Sequence, residues 1–191
     1  PTPPTPLSAE QKPKSNFIKE TLWYAAIAIF VVVPIRLWIA QPFVVSGASM
    51  DSTFADGEYL VVDEVTYRFN GPERGDVLIF KYPQDTSKYF IKRVIGLPGE
   101  TVIVKNNIVT IINAEHPKGK VLNEPYIHST SFLSKTLPLG KEEYFVMGDN
   151  RGVSSDSRVW GALPKNDIIG RPLVRLLPVH RIDMLPGVVA S

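Results

Sequence analysis

The chain has 191 residues, 44% of them apolar and 21% charged, with a net charge of +2. That length allows one sizeable domain with appendages, and so small a net charge with no basic stripe gives no support to a nucleic-acid partner. The absence of cysteine excludes a disulfide scaffold, a thiolate metal site and a cysteine nucleophile.

The chain opens on a polar, proline-rich tail: residues 1–15 hold five prolines and too little apolar surface to order themselves, so residues 1–21 read as a disordered tail. Residues 22–40 follow as a predominantly apolar run, close to the roughly 20 residues a membrane-spanning helix needs. Trp23, Tyr24 and Trp38 suit the two interfaces, and Arg36 can snorkel to headgroups. Lys12, Lys14 and Lys19 precede the span, which places residues 1–21 on the cytoplasmic side and residues 41–191 outside as an extracytoplasmic domain. A cleavable signal peptide shares part of this pattern, but it needs small residues at −3 and −1: Trp38-Ile39-Ala40 fails at −3, and Ser46-Gly47-Ala48, small enough, lies well past the apolar core.

Beyond the span, short β-rich runs alternate with turn residues, at 58–62, 76–82, 89–95, 101–104, 108–112, 143–147 and 168–177. Lys105-Asn106-Asn107 predicts a tight hairpin turn, because Asn tolerates positive φ. Residues 71–75 and 97–99 are further turns, and 113–140 reads as an excursion between core strands. The fold class is mostly β, an antiparallel sheet domain behind one N-terminal transmembrane helix. His116, His128 and His180 lie among prolines and polar residues and read as loop or surface positions.

Ser49 comes nine residues after the end of the apolar run, so at about 3.3–3.6 Å per residue it lies within roughly 30 Å of the bilayer. A serine hydroxyl is a weak nucleophile until a base takes its proton, so the base defines the class of chemistry. No serine sits in Gly-x-Ser-x-Gly, and Ser-x-x-Lys and His-Glu-x-x-His are missing. What remains is a serine with a lysine distant in sequence. In 89–95, alternation puts Phe90, Lys92 and Val94 on one face and Ile91, Arg93 and Ile95 on the other. A lysine on an apolar face is either a snorkelling edge residue, the commoner case, or a desolvated base. Neutralising a reference lysine at pH 7 costs about 4.6 kcal/mol, and burial lowers such a pKa by up to roughly 3–5 units.

Ser49-Met50 after a span, Arg74-Gly75-Asp76-Val77, the run Ile91-Lys92-Arg93-Val94-Ile95-Gly96-Leu97-Pro98-Gly99, and Gly148-Asp149-Asn150-Arg151 with Ser154, Asp156-Ser157-Arg158 and Trp160-Gly161 stand in a telling order. Over roughly residues 20–177 they resemble the boxes of the type I signal peptidases, in the bacterial branch with one anchor. The resemblance implies a Ser/Lys-dyad serine endopeptidase that removes signal peptides from exported preproteins after a small residue, in an Ala-x-Ala context. The resemblance further implies action at the outer face of a plasma or thylakoid membrane, with membrane lipid as the other partner and neither cofactor, metal nor nucleic acid.

Residue by residue, the resemblance makes Ser49 the nucleophile and Lys92 the general base. Ser154 is implied to hydrogen-bond and orient the base, with Asp156 and Arg158 in support. Met50 and Ile91 are implied for the pocket that takes the small residue before the cut. The oxyanion hole falls to the main-chain N–H of Ser49 and to position 47. Two departures stand out: the family's Ser-Met-x-Pro-Thr-Leu is Ser49-Met50-Asp51-Ser52-Thr53-Phe54 here, and the hydroxyl donor found in some members two residues before the nucleophile is Gly47. Two other readings use the same residues, a specialised Ser/Lys maturation peptidase and a non-catalytic membrane-anchored partner of the same fold.

Overall fold

A computed structural model describes residues 17–32 and 40–188. The tail expected over 1–21 lies outside the described residues up to 16 and is helical from Phe17 on: helix α1, Phe17–Ile27, buries none of its residues, and Ala28–Val32 continue it as a π-helical turn. Among the described residues no helix is long and apolar enough to cross a membrane. The span expected over 22–40 is therefore seen as helix only to Val32, and 33–39 lie outside the described residues. Its expected last residue is not helical: Ala40 opens the first strand, β1, Ala40–Val44.

Twelve strands follow among the described residues, all paired antiparallel. In the larger sheet they are β1, β2 (Tyr59–Asp63), β3 (Val77–Tyr82), β4 (Asp85–Gly96), β9 (Glu143–Met147), β10 (Leu163–Pro164), β11 (Ile168–Leu177) and β12 (Asp183–Met184). The spatial order is β1-β2-β11-β3-β4-β9-β10, with β12 added on β11. A second sheet runs β7-β6-β5-β8, from β5 (Thr101–Lys105), β6 (Ile108–Ile112), β7 (Lys120–Val121) and β8 (Lys135–Pro138).

The expected strands are present, and the β5–β6 hairpin turns through Asn106 and Asn107 at φ 51° and 63°, the left-handed region Asn tolerates. Residues 113–140 are more than an excursion, because β7 and β8 flank the hairpin there and complete the smaller sheet. Their two and four residues are too short to carry a periodic signal.

Alternation along the strands sorts side chains into three buried clusters. Met50, Phe54, Leu60, Val62, Val77, Ile79 and Ile91 make the first. Leu78, Phe80, Val94, Tyr144, Val146 and Leu163 make another, with Phe90 packed against it. Ile95, Val102, Val104, Val109, Ile111, Phe145 and Met147 join the two sheets. β4 contributes to all three, with β3 on one side and β9 on the other, so a polar residue at its centre has neighbours on every side.

Candidate active site

The loop from Ser46 to Gly57 carries Ser49. Its neck is closed where the Val45 N–H donates to Glu58 O at 2.9 Å and the Gly57 N–H donates to Val45 O at 2.9 Å. Gly47 turns at φ 89°, which a side chain would resist, and its N–H donates to Asp56 Oδ1 at 2.7 Å. Met50 and Phe54 then plunge into the first core cluster, fully buried, with the Phe54 N–H on Met50 O at 2.8 Å. Anchored by these two side chains, the turn between them presents Ser49 at the surface of a cleft.

The rest of the restraint comes from the turn after β9. The Asn150 N–H donates to Ser49 O at 3.1 Å, Asn150 Nδ2 to Ala48 O at 3.1 Å, and Thr53 Oγ1 to Asp149 Oδ2 at 2.6 Å. The loop thus gains from polar clamps the restraint that a proline at position 52 would supply. Gly148 allows the approach: a Cβ there would lie 2.4 Å from Ser49 O and 2.3 Å from Ser154 Oγ.

Lys92 reaches the loop from β4. Its Nζ lies 2.6 Å from Ser49 Oγ and donates to Ile91 O at 2.9 Å. The side chain is 4% exposed, and burial pulls its pKa down to about 8, against the opposing influence of the Asp156 and Asp149 carboxylates. The Phe90 ring, its centroid 5.2 Å from Nζ, is the apolar wall beside it. Sequence left Lys92 between snorkelling and a desolvated base, and its burial removes the snorkelling alternative.

Serine and lysine meet at a cleft of about 260 Å³, walled by Phe43, Val44, Tyr89, Ile91 and Val153. Ile91 lines it, whereas Met50 does not: its side chain is fully buried on the core side of the loop. The Gly47 amide is spent on Asp56 and is not free for an oxyanion. The Ser49 N–H donates to no backbone carbonyl among the described residues. Ser154 is buried against Gly148, but its Oγ makes no hydrogen bond among the described residues, so the implied bond to Lys92 is not formed.

Asp156 and Arg158 form a buried bidentate pair, with both Nε and Nη2 donating at 2.8 Å. Asp156 also caps the one-turn helix Ser157–Trp160 and accepts from the Gly148 N–H at 3.1 Å, and Arg158 Nη2 donates to Arg151 O at 2.9 Å. The pair therefore holds the turn that clamps Ser49.

A second buried pair went unassigned in the sequence. Arg93, next to Lys92, donates to Asp149 through Nε at 2.9 Å and Nη2 at 2.6 Å, with side chains 1% and 0% exposed. Its guanidinium stacks 4.1 Å above the Tyr126 ring, while Glu124 pairs with the buried Arg151. The clue was present, since an arginine inside an apolar strand needs a buried acidic partner. Which acid it is depends on long-range folding. Among the described residues no three His, Cys, Asp or Glu side chains cluster as a metal site.

A serine hydroxyl in an open apolar cleft, in contact with a buried amine, holds the groups that a serine hydrolase needs. Comparison with known proteins specifies which. The sequence pattern of the family described as "Signal peptidase, peptidase S26" matches residues 18–177. The chain is 38% identical to a probable signal peptidase I-1 of Synechocystis, over 89% of this chain and 88% of that one. It is 36% identical to a signal peptidase I of Leptolyngbya laminosa, over 96% and 92%. The crystal structure of a signal peptidase I from Enterococcus faecalis aligns at 29% identity and a TM-score of 0.44, over 53% of this chain and 97% of that one. The chain belongs to the S26 signal peptidase family, and is a serine endopeptidase of the signal peptidase I type.

Proposed function

We propose that this enzyme is tethered to a membrane by residues 22–40 and cleaves signal peptides from exported preproteins with Ser49 as nucleophile and Lys92 as general base. The observation that carries the reading is the 2.6 Å separation of Lys92 Nζ and Ser49 Oγ, with the lysine buried. At a pKa of about 8, neutralising Lys92 at pH 7 costs about 1.4 kcal/mol, against about 4.6 for a reference lysine.

Neutral Lys92 accepts the proton of Ser49 as Oγ attacks the scissile carbonyl, and the Ser49 N–H donates to the oxyanion that forms. The resulting ammonium protonates the departing amine, leaving an acyl-enzyme on Ser49. Lys92, neutral again, takes a proton from the water that releases the signal peptide. Asp149, Asn150, Asp156 and Arg158 act on the position of Ser49 rather than on the substrate.

The anchor reading rests on the sequence and on the helical residues from Leu22 onward, where Leu22, Trp23, Tyr24, Ile29 and Phe30 are exposed and no protein face among the described residues covers them. Residues 1–21 form the cytoplasmic tail and 41–191 the body on the far side. Protease added to cells stripped of their walls is expected to digest the body and spare the tail. A spared body with a digested tail would overturn the orientation.

The substrate rule is a small residue at −1 and another at −3. Incubating the solubilised enzyme with a preprotein and locating the cut by mass tests it directly. Across substrates with Ala, Val, Leu and Phe at −1, kcat/KM should fall steadily, and equal rates would sink the rule. Because Ile91 lines the cleft and Met50 does not, Ile91→Ala should narrow that spread, by about 1–3 kcal/mol per methylene of pocket gained. Met50→Ala should instead cost about 2–5 kcal/mol of stability and leave the ranking unchanged.

A further inference from the structure

We propose that residues 178–188 form a strap that positions the nucleophile loop, with Arg181 and Gly187 as positioning residues for Ser49. The proposal rests on the reading of Ser49 as nucleophile.

The family match ends at residue 177, where β11 ends, yet the chain continues and turns back toward the loop. A 3-10 turn, Val179–Arg181, leads into β12, which pairs with β11 through Val174 with Met184 and Arg175 with Asp183. The Leu185 N–H donates to Leu173 O at 2.8 Å, which holds the returning segment in register.

Four contacts then join this segment to the loop and its support. Arg181 Nη2 donates to Ser52 O at 3.3 Å, while its Nη1 pairs with the buried Glu58 at 2.6 Å, at the neck of the loop. The Gly187 carbonyl accepts from Arg93 Nη1 at 2.6 Å, and Arg93 holds the Asp149 that accepts from Thr53. Gly187 lies flat on the loop's buried anchor: at φ 86°, a Cβ there would come within 2.9 Å of Phe54 Cε2 and 3.0 Å of Val77 Cγ2. From β11, Arg175 Nη2 holds Thr53 O at 2.8 Å.

The loop needs such restraint. Between Ser49 and Phe54 its own backbone bonds are Asp51 N–H on Ala48 O and Phe54 N–H on Met50 O. Ser52 carries no ring to fix its φ. The carbonyls of Ser52 and Thr53 are instead gripped by arginines from the C-terminal part of the chain, and the core anchor Phe54 is covered by Gly187.

The test uses the full chain in detergent with Gly187→Ala, whose added methyl lifts the strap off Phe54, and Arg181→Ala, whose partly exposed side chain can be removed without a core cavity. Amide hydrogen exchange at Asp51 and Phe54 reports the loop with no substrate present. Both amides should exchange about tenfold faster in Gly187→Ala, with the β5–β6 hairpin unchanged, and kcat should fall on the order of 10- to 100-fold while KM stays within about twofold. Arg181→Ala should move the same quantities in the same direction by less.

Native exchange at Asp51 and Phe54 in both variants would overturn the strap. So would exchange that rises equally in the β5–β6 hairpin, or faster loop exchange with unchanged kcat. An unmodified chain that leaves preprotein uncut would instead overturn the reading of Ser49 and Lys92, while the exchange data would still report on the strap.

Discussion

Replacing Ser49 with Ala, or Lys92 with Met, is expected to reduce preprotein cleavage on the order of 10⁴-fold or more, and the double variant should be no worse than either single one. The reason lies in the single contact that joins them. Without Lys92 no base lining the cleft can take the Ser49 proton, since none of the three histidines lies there. Without Ser49 the buried amine has no oxygen to activate. Met preserves the length and apolar contacts of the lysine stem against Phe90, so Lys92→Met should fold at least as well as the native chain: burial of the charge is what lowers the lysine pKa. Substantial turnover in either variant would remove that residue from the dyad. Losses that multiplied in the double variant would mean that the two act separately.

The second large effect is expected at Asp149. Its carboxylate is fully buried, and removing it leaves the guanidinium of Arg93 as an uncompensated buried charge. Breaking such a pair costs about 3–5 kcal/mol, a large share of the about 5–15 kcal/mol that holds a typical domain together. Asp149→Ala should therefore lower the urea midpoint sharply. It also strips Thr53 of its acceptor, so the nucleophile loop loosens in whatever protein remains folded. Replacing both partners with apolar residues, Arg93→Met with Asp149→Leu, should restore much of the stability but not the activity, because the Thr53 clamp is still absent. A cost below about 1 kcal/mol for Asp149→Ala would show that the pair is not isolated from water.

The sequence carried the strands of the larger sheet well where they are long and apolar. β3 begins as a continuous apolar run, Val77 to Phe80, and β4 is buried throughout from Ile91 to Gly96, while the hairpin at Asn106-Asn107 is dictated by turn chemistry. Strand β1 was not legible, because Ala40–Val44 holds a proline and follows an apolar run that hides its start. β7 and β8 were lost for shortness. At the site, Ser49 and Lys92 were legible only because their flanking boxes resemble a family. Periodicity alone favoured a snorkelling lysine, and it took the closure of β3 and β9 around β4 to bury it. Met50 shows the opposite failure: adjacency to Ser49 suggested a pocket residue, but in a tight turn successive side chains diverge, and Met50 points into the core. Asp149, Thr53 and Glu124 were illegible as partners, since the contacts Arg93–Asp149, Thr53–Asp149 and Arg151–Glu124 join segments far apart in the chain. The segment beyond 177 was equally silent, because what it does is done largely by one arginine and by the backbone of a glycine.

The pH dependence of kcat/KM in a chain with His116, His128 and His180 all replaced separates a lysine base from an imidazole. Cleavage needs Lys92 neutral, and the neutral fraction grows as pH rises through the folded pKa, so the rate should climb with pH and reach half its plateau at about 8. The histidine-free chain should give the same profile as the native one. A rate governed by a group near 6.5, and lost with the histidines, would contradict the account and place the base on an imidazole.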